Sequence, residues 1–263
     1  MQSKMNSSSN LSAIKILLDK KVELYNNLEF IETDPIQVPH RFTLKEDIEI
    51  AGFLTSTIAW GQRISIIKNA KSLMALMDNS PFDFIKNAEN KDIISLQHFV
   101  HRTFQGTDCI YFIRSLKNIY LHQGGLEKVF IDGFKKDKSI FSSLEYFRKI
   151  FFSMQPETRS HKHVADVTSN ASAKRLNMFL RWMVRKDDKG VDFGIWKNIP
   201  QSALMLPLDL HTGNTARNLG LLHRKQNDWK AVEEITSVLR NLDPIDPIKY
   251  DFALFGIGAF EKQ

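Results

Sequence analysis

The chain has 263 residues, 43% hydrophobic and 25% charged, with a formal charge of +6. These fractions exclude wholesale disorder and give enough apolar material for a sizeable core, in one large domain or two packed lobes. Its one cysteine, Cys109, excludes an intramolecular disulfide and any metal cluster that needs several thiolates.

In chain order, the polar opening MQSKMNSSSN reads as a disordered tail over residues 1–10. Leu11, Ile14, Leu17, Leu18, Val22 and Tyr25 then fall at helical spacing within 11–30. Charges interrupt this stretch too early for a signal-peptide core, and no apolar run reaches the roughly eighteen residues of a membrane span. A cytoplasmic protein without a membrane partner is expected. TDPIQVPHRFT (33–43) predicts a loop, and 45–77 predicts two helices meeting near Trp60-Gly61. Asn79-Ser80-Pro81 stops one helix and starts another. Leu96 to Leu121 reads as helix on both sides of Gln105-Gly106-Thr107-Asp108, with Asp108 as an N-cap. Gly124-Gly125 predicts a turn, followed by helices over 126–134 and 139–153.

Residues 155–171 form a long polar loop, and 172–186 an amphipathic helix with Leu176, Phe179, Leu180, Met183 and Val184 as its buried stripe. An irregular stretch follows. Asp209 then caps a helix in HTGNTARNLGLL, Asn227-Asp228 precedes another, and the DPIDP turn leads into a last helix over KYDFALFGIGAF. Period-2 alternation is scarce, and neither a hairpin nor an internal repeat stands out. The expected fold is all-α.

No phosphate-binding GxxxxGK[ST], GxSxG or HExxH motif is present. FGIGAF reads as tight helix packing, His161 and His163 as a polar loop, Asp243 and Asp246 as turn caps, and Cys109 as a small buried hydrophobe. No metal site and no cofactor are expected. Charge is unevenly spread: residues 135–189 hold thirteen Lys/Arg against six Asp/Glu, leaving a net −1 for the rest. Such a segment attracts polyanions or forms an ordinary solvated surface. Within it, Lys174, Arg181 and Arg185 share one helix line at about 100° per residue, flanked by Arg175 and Trp182. That line suits a face that tracks a phosphate backbone, with Lys174 placed at the first turn as a potential amine nucleophile. Asp209 serves as a cap or, as chemistry, as a carboxylate that stabilises a developing cation.

Together these segments resemble the helix-hairpin-helix DNA glycosylase superfamily. Lys174-Arg175-Leu176-Asn177 is similar to the Lys-Thr-Ala-Asn that follows the family's hairpin. Asp209, His211, Leu219, Gly220 and Leu221 fall in register with its V-D-T-H-V-x-R-V-x-x-R-L-G-L segment. The stretch around AWGQR and the one ending in Gly124-Gly125 are similar to two earlier family helices. Three departures stand out. Asn170-Ala171-Ser172 replaces the hairpin glycines, with Ser172 available as a cap. Lys174 and Asp209 are 35 positions apart, farther than in ordinary members. The four-cysteine iron–sulfur motif of some members is missing. More closely, AWGQR, KRLNMFLRWMVR, VDFGIW, PLDLHTGNTARNLGL and DPIDPIKYDFALFGIGAF resemble an uncharacterised bacterial (Bacteroidetes-type) family, domain of unknown function 2400.

The superfamily resemblance implies a single domain over 11–263 with two packed helical lobes, lobe A at about 45–130 and lobe B at about 11–40 plus 131–263. It implies a base-excision DNA-repair enzyme, a glycosylase/lyase acting on a flipped damaged base. Lys174 would be the Schiff-base nucleophile and Asp209 the transition-state carboxylate. Arg175, Arg181 and Arg185 would hold phosphates, with Gln62, Arg63 and His211 also on the DNA side and Trp60 or Trp182 available to stack. The alternative on the same scaffold is a non-catalytic helical nucleic-acid-binding module. A protein–protein adaptor would fit the 19 phenylalanines.

Overall fold

The computed structural model describes residues 2–154 and 158–261, with the side chains of 2–10 left aside. Thirteen α-helices in this range define an all-α protein: α1 (Gln2–Tyr25), α2 (Leu28–Thr33), α3 (Lys45–Thr57), α4 (Arg63–Ala75), α5 (Pro81–Asn87), α6 (Asn90–Ser95), α7 (Gly106–His122), α8 (Leu126–Phe134), α9 (Ile140–Phe151), α10 (Lys174–Val184), α11 (Leu210–Asn218), α12 (Trp229–Leu242) and α13 (Tyr250–Phe260). Short 3-10 turns fill several connections. No described helix is long and apolar enough to cross a membrane. The helix α1 begins at Gln2, so the backbone of residues 2–10, read from composition as a disordered tail, is helical; no glycine or proline interrupts it.

Local chemistry sets most boundaries. Gly61 has φ +99, and a Cβ there would lie 2.6 Å from the Arg102 guanidinium, so the break between α3 and α4 needs a residue without a side chain. Asp209 and Asp228 accept the Thr212 and Ala231 amides and start α11 and α12. Two expectations fail locally. Asp108 is not the N-cap of α7: Gln105 is, and Asp108 sits three residues on, accepting the Gln105 amide at 2.9 Å to complete a capping box. Val100–His101 and Phe104–Gln105 form a two-residue antiparallel hairpin, too short to leave an alternating pattern in the sequence. The loop predicted over 155–171 holds 3-10 turns at Thr158–His163 and Val167–Ser169, with 155–157 outside the described residues.

The interior is aromatic. Phe53 packs against Phe112, Phe147, Phe151 and Phe179 with ring centroids 5.4–6.0 Å apart, and Phe130 stacks on Phe147 at 4.4 Å. These rings form the centre of the core, while Phe260 remains 49% exposed. The helix α10 lies against α3 at Gly52, where an added Cβ would come within 3.0 Å of Met183. The last helix packs on both α1 and α11, and its Gly256 leaves no room for a Cβ against the Tyr25 ring. That close approach is the helix-packing role expected of FGIGAF.

Candidate active site

A cleft of about 650 Å³ collects residues from five parts of the chain: Asp34 after α2, Trp60 and Arg63 at the α3–α4 break, Lys174 on α10, Asp209 and His211 at α11, and Asp251 and Phe255 on α13. Lys174 Nζ lies 3.9 Å from Asp209 Oδ2, with both side chains about a quarter exposed, so a ligand can reach them. Asp209 divides its oxygens: Oδ1 holds the Thr212 amide at 3.0 Å, leaving Oδ2 toward the lysine. The Asn227 side-chain amide donates to the Asp209 carbonyl at 3.0 Å and further fixes this turn.

Lys174 opens α10 directly after a left-handed residue. Ala173 has φ +51 and Asn170 φ +63, so the turn takes the backbone shape that glycine favours without using glycine. Ala173 is the N-cap, with no side-chain capping bond, so Ser172 does not play that role. The turn is held from outside. The Asn170 side chain donates to Asp228 at 2.9 Å, and its carbonyl accepts the Trp229 amide at 3.0 Å. Asn177 donates to the Ser172 carbonyl at 3.1 Å.

The cations expected on one helix line meet different fates. Arg181 and Arg185 are 4% and 1% exposed, so neither stands on an open helix face, although Arg181 still edges the cleft. Arg181 is paired with Asp192 at 3.2 Å and with Asp251. Arg185 is paired with Asp187, Asp192 and Asp246 at 2.8–2.9 Å. The physical reason is that a layer of carboxylates covers α10 at Arg181 and Arg185, so that end of its charged line is an internal ion-pair seam while Lys174 stays in the cleft. Arg175 donates to the Thr57 carbonyl and lies 4.9 Å over the Trp60 ring; burial pulls its guanidinium down to about 10. Trp182 is fully buried, whereas Trp60 lines the cleft, stacked at 5.8 Å on His163.

Gln62 is exposed at the start of α4, between the cleft residues Gly61 and Arg63, and Arg63 lies 5.1 Å over Phe255. His211 is exposed with Nδ1 3.2 Å from the Gly258 carbonyl. Elsewhere the basic segment is partly neutralised internally, through Arg159–Asp108 at 3.1 Å and Lys189–Glu23 at 2.8 Å. His163 lies 3.3 Å from Asp108, and His161 packs on Phe152 at 4.1 Å.

Two cleft carboxyls escape a motif-based reading. Asp251 is buried and its carboxyl is raised to about 6: burial dominates, the Asp209 charge adds to it, and Arg181 and Lys174 oppose it. A lone aspartate within the apolar run YDFALFGIGAF was the available signal. Asp34, in a proline-rich loop, gave none beyond a turn cap.

An all-helical scaffold thus presents a cleft in which a lysine faces a carboxylate beneath aromatic walls. The family described as protein of unknown function (DUF2400) matches residues 34–260, and the chain belongs to it. No curated protein and no solved structure matches the chain.

Proposed function

We propose that the protein is a DNA base-excision enzyme of the helix-hairpin-helix glycosylase type, which everts a damaged nucleotide into the cleft between lobe A and lobe B. The observation that carries this is the 3.9 Å approach of Lys174 Nζ to Asp209 Oδ2, across 35 positions of sequence, in a cleft of about 650 Å³. Nothing in the local capping of α11 requires that approach.

In the proposed reaction Lys174 gives up a proton to solvent and its amine attacks C1′ of the everted nucleotide, while the C1′–N bond breaks with its electron pair leaving on the base, which takes up a proton from solvent. Asp209 stands beside the positive charge that develops on the sugar and lowers the barrier electrostatically. Loss of the amine proton and opening of the sugar ring give the Schiff base. Gln62 and Arg63, at the start of α4, fill the space left in the duplex, and His211 approaches the strand. Arg175 braces Trp60 as a wall of the base site, and Arg181 and Arg185 support α10 from within.

Borohydride trapping tests this on duplexes carrying an abasic site, 8-oxoguanine, uracil or alkylated purines, with wild type beside Lys174→Ala and Asp209→Asn. A covalent adduct on a damaged-base duplex is expected, absent in Lys174→Ala and strongly reduced in Asp209→Asn. An adduct confined to abasic sites and unchanged in Lys174→Ala, or duplex binding without adduct or base release, would overturn it.

A further inference from the structure

Chemistry at Lys174 and Asp209 leaves one wall of the cleft unexplained. Asp34 stands there, 8% exposed, between α2 and the Pro35–Gln37 turn. Its Oδ1 accepts the Ile36 amide at 3.0 Å, and the described residues offer its carboxylate no second hydrogen bond. Capping a three-residue turn does not require a charge, since asparagine caps as well as aspartate. A carboxylate this buried is costly unless something satisfies its free lone pairs. Burial pushes the carboxyl upward, against the Ile36 bond and the charges of Arg181, Arg63 and Lys174. Neither arginine donates a hydrogen bond to it among the described residues: Arg181 pairs with Asp192 and Asp251, and Arg63 lies over Phe255 and Phe260. Asp34 therefore brings a carboxylate with no second protein donor among the described residues to a space walled by Phe30, Trp60, Phe252 and Phe255 and large enough for a purine nucleoside.

Base edges differ in how they meet such an acceptor. Adenine and cytosine set a ring acceptor beside their amine, and uracil and thymine flank N3–H with carbonyls, so each aims a lone pair at the carboxylate. Hypoxanthine offers a single N–H. Guanine places N1–H directly beside its 2-amino group, two adjacent donors with no acceptor on that side.

We propose that Asp34 is the base-recognition residue of this cleft and selects an everted nucleobase with a guanine-type edge, a ring N–H beside an exocyclic amine. This rests on the base-excision reading above for the source of the base, but the recognition itself is measurable without catalysis. A site built around such an acceptor rejects ligands that leave it unpaired more strongly than ligands that are merely the wrong size.

The test is calorimetric or NMR titration of the full chain with guanosine, inosine and adenosine as the probes. Guanosine is expected to bind at least tenfold more tightly than the other two. Asp34→Asn keeps the turn cap but can turn an N–H toward the ligand, and should abolish that preference. Asp34→Glu, which keeps the charge, should weaken guanosine binding while preserving the order, and Lys174→Ala should leave the order intact. Equal affinities in wild type, no binding of any nucleoside at millimolar concentration, or an unchanged preference in Asp34→Asn would each overturn the proposal. The borohydride assay separates the two levels. Wild type that forms no adduct yet prefers guanosine sinks excision and supports base selection. Equal trapping on guanine-type and uracil duplexes supports excision and sinks Asp34 as the selector.

Discussion

Replacing Arg185 by methionine separates a structural seam from a phosphate-binding face. The Arg185 Nε lies 3.1 Å from both oxygens of Asp246, and its Nη atoms reach Asp192 at 2.9 Å and Asp187 at 2.8 Å. Methionine fills a similar volume but leaves those carboxylates short of a cation; Asp192 alone keeps another, Arg181 Nε at 3.2 Å. Removing one partner of a buried ion pair costs about 3–5 kcal/mol. In a chain of this size each kcal/mol lowers the melting temperature by about 2–4 °C, so a fall of roughly 6–20 °C is expected. Asp187→Asn should cost much less, because Arg185 then retains Asp192 and Asp246. Circular-dichroism melts measure the loss, and a salt titration of duplex binding measures the other role. A phosphate-holding arginine contributes roughly 0.9 to the slope of log K against log salt. An Arg185→Met protein that melts with wild type and loses about one unit of that slope would refute the buried-seam account.

Three further outcomes are expected. Gly256→Ala places a methyl 2.1 Å from the Tyr25 ring, which must swing away from its 2.5 Å hydrogen bond to Glu261; about 1–3 kcal/mol of stability should be lost, read by urea denaturation. Asp251, raised to about 6 against an ordinary 3.8, holds its proton more tightly folded than unfolded, so its contribution to stability falls as pH rises through about 4 to 6. Its carboxyl carbon should titrate near 6 by NMR, and a midpoint at the ordinary value would contradict the burial described. Cys109 is fully buried and burial pushes its thiol up, so a thiol reagent should label it only on unfolding; rapid labelling of the native protein would contradict its place in the core.

The helices were legible where a local device marked them. Gly61, Pro81, Gly124-Gly125, Asp209 and Asp228 each act within a turn of their own position, and the starts of α4, α5, α8, α11 and α12 follow from them. Asp108 was misjudged by three residues because a capping box uses two polar side chains, and Gln105 is the less obvious of them. The fate of α10 was hidden for a different reason. Periodicity identifies its polar line but carries no information on what packs there. Asp187, Asp192, Asp246 and Asp251 come from two separate stretches of chain, and only the tertiary fold lays them over Arg181 and Arg185. The pairing of Lys174 with Asp209 was inferable from likeness to a motif, whereas Asp34 and Asp251 reach the same cleft through contacts that no local pattern encodes.

The walls of the cleft bind its assembly to the order in which the chain is made. Phe30 and Asp34 emerge early, Lys174 about two thirds of the way from them to the last wall, and Asp251, Phe252 and Phe255 only with α13. The helix α13 also closes on α1, so one ordering event joins segments more than two hundred positions apart. During translation Lys174 and Asp209 are therefore present before the surface that encloses them, and a chain released before α13 carries an exposed amine with no enclosed site around it. Completion of the last helix therefore sets the moment at which the cleft acquires its Asp251, Phe252 and Phe255 wall.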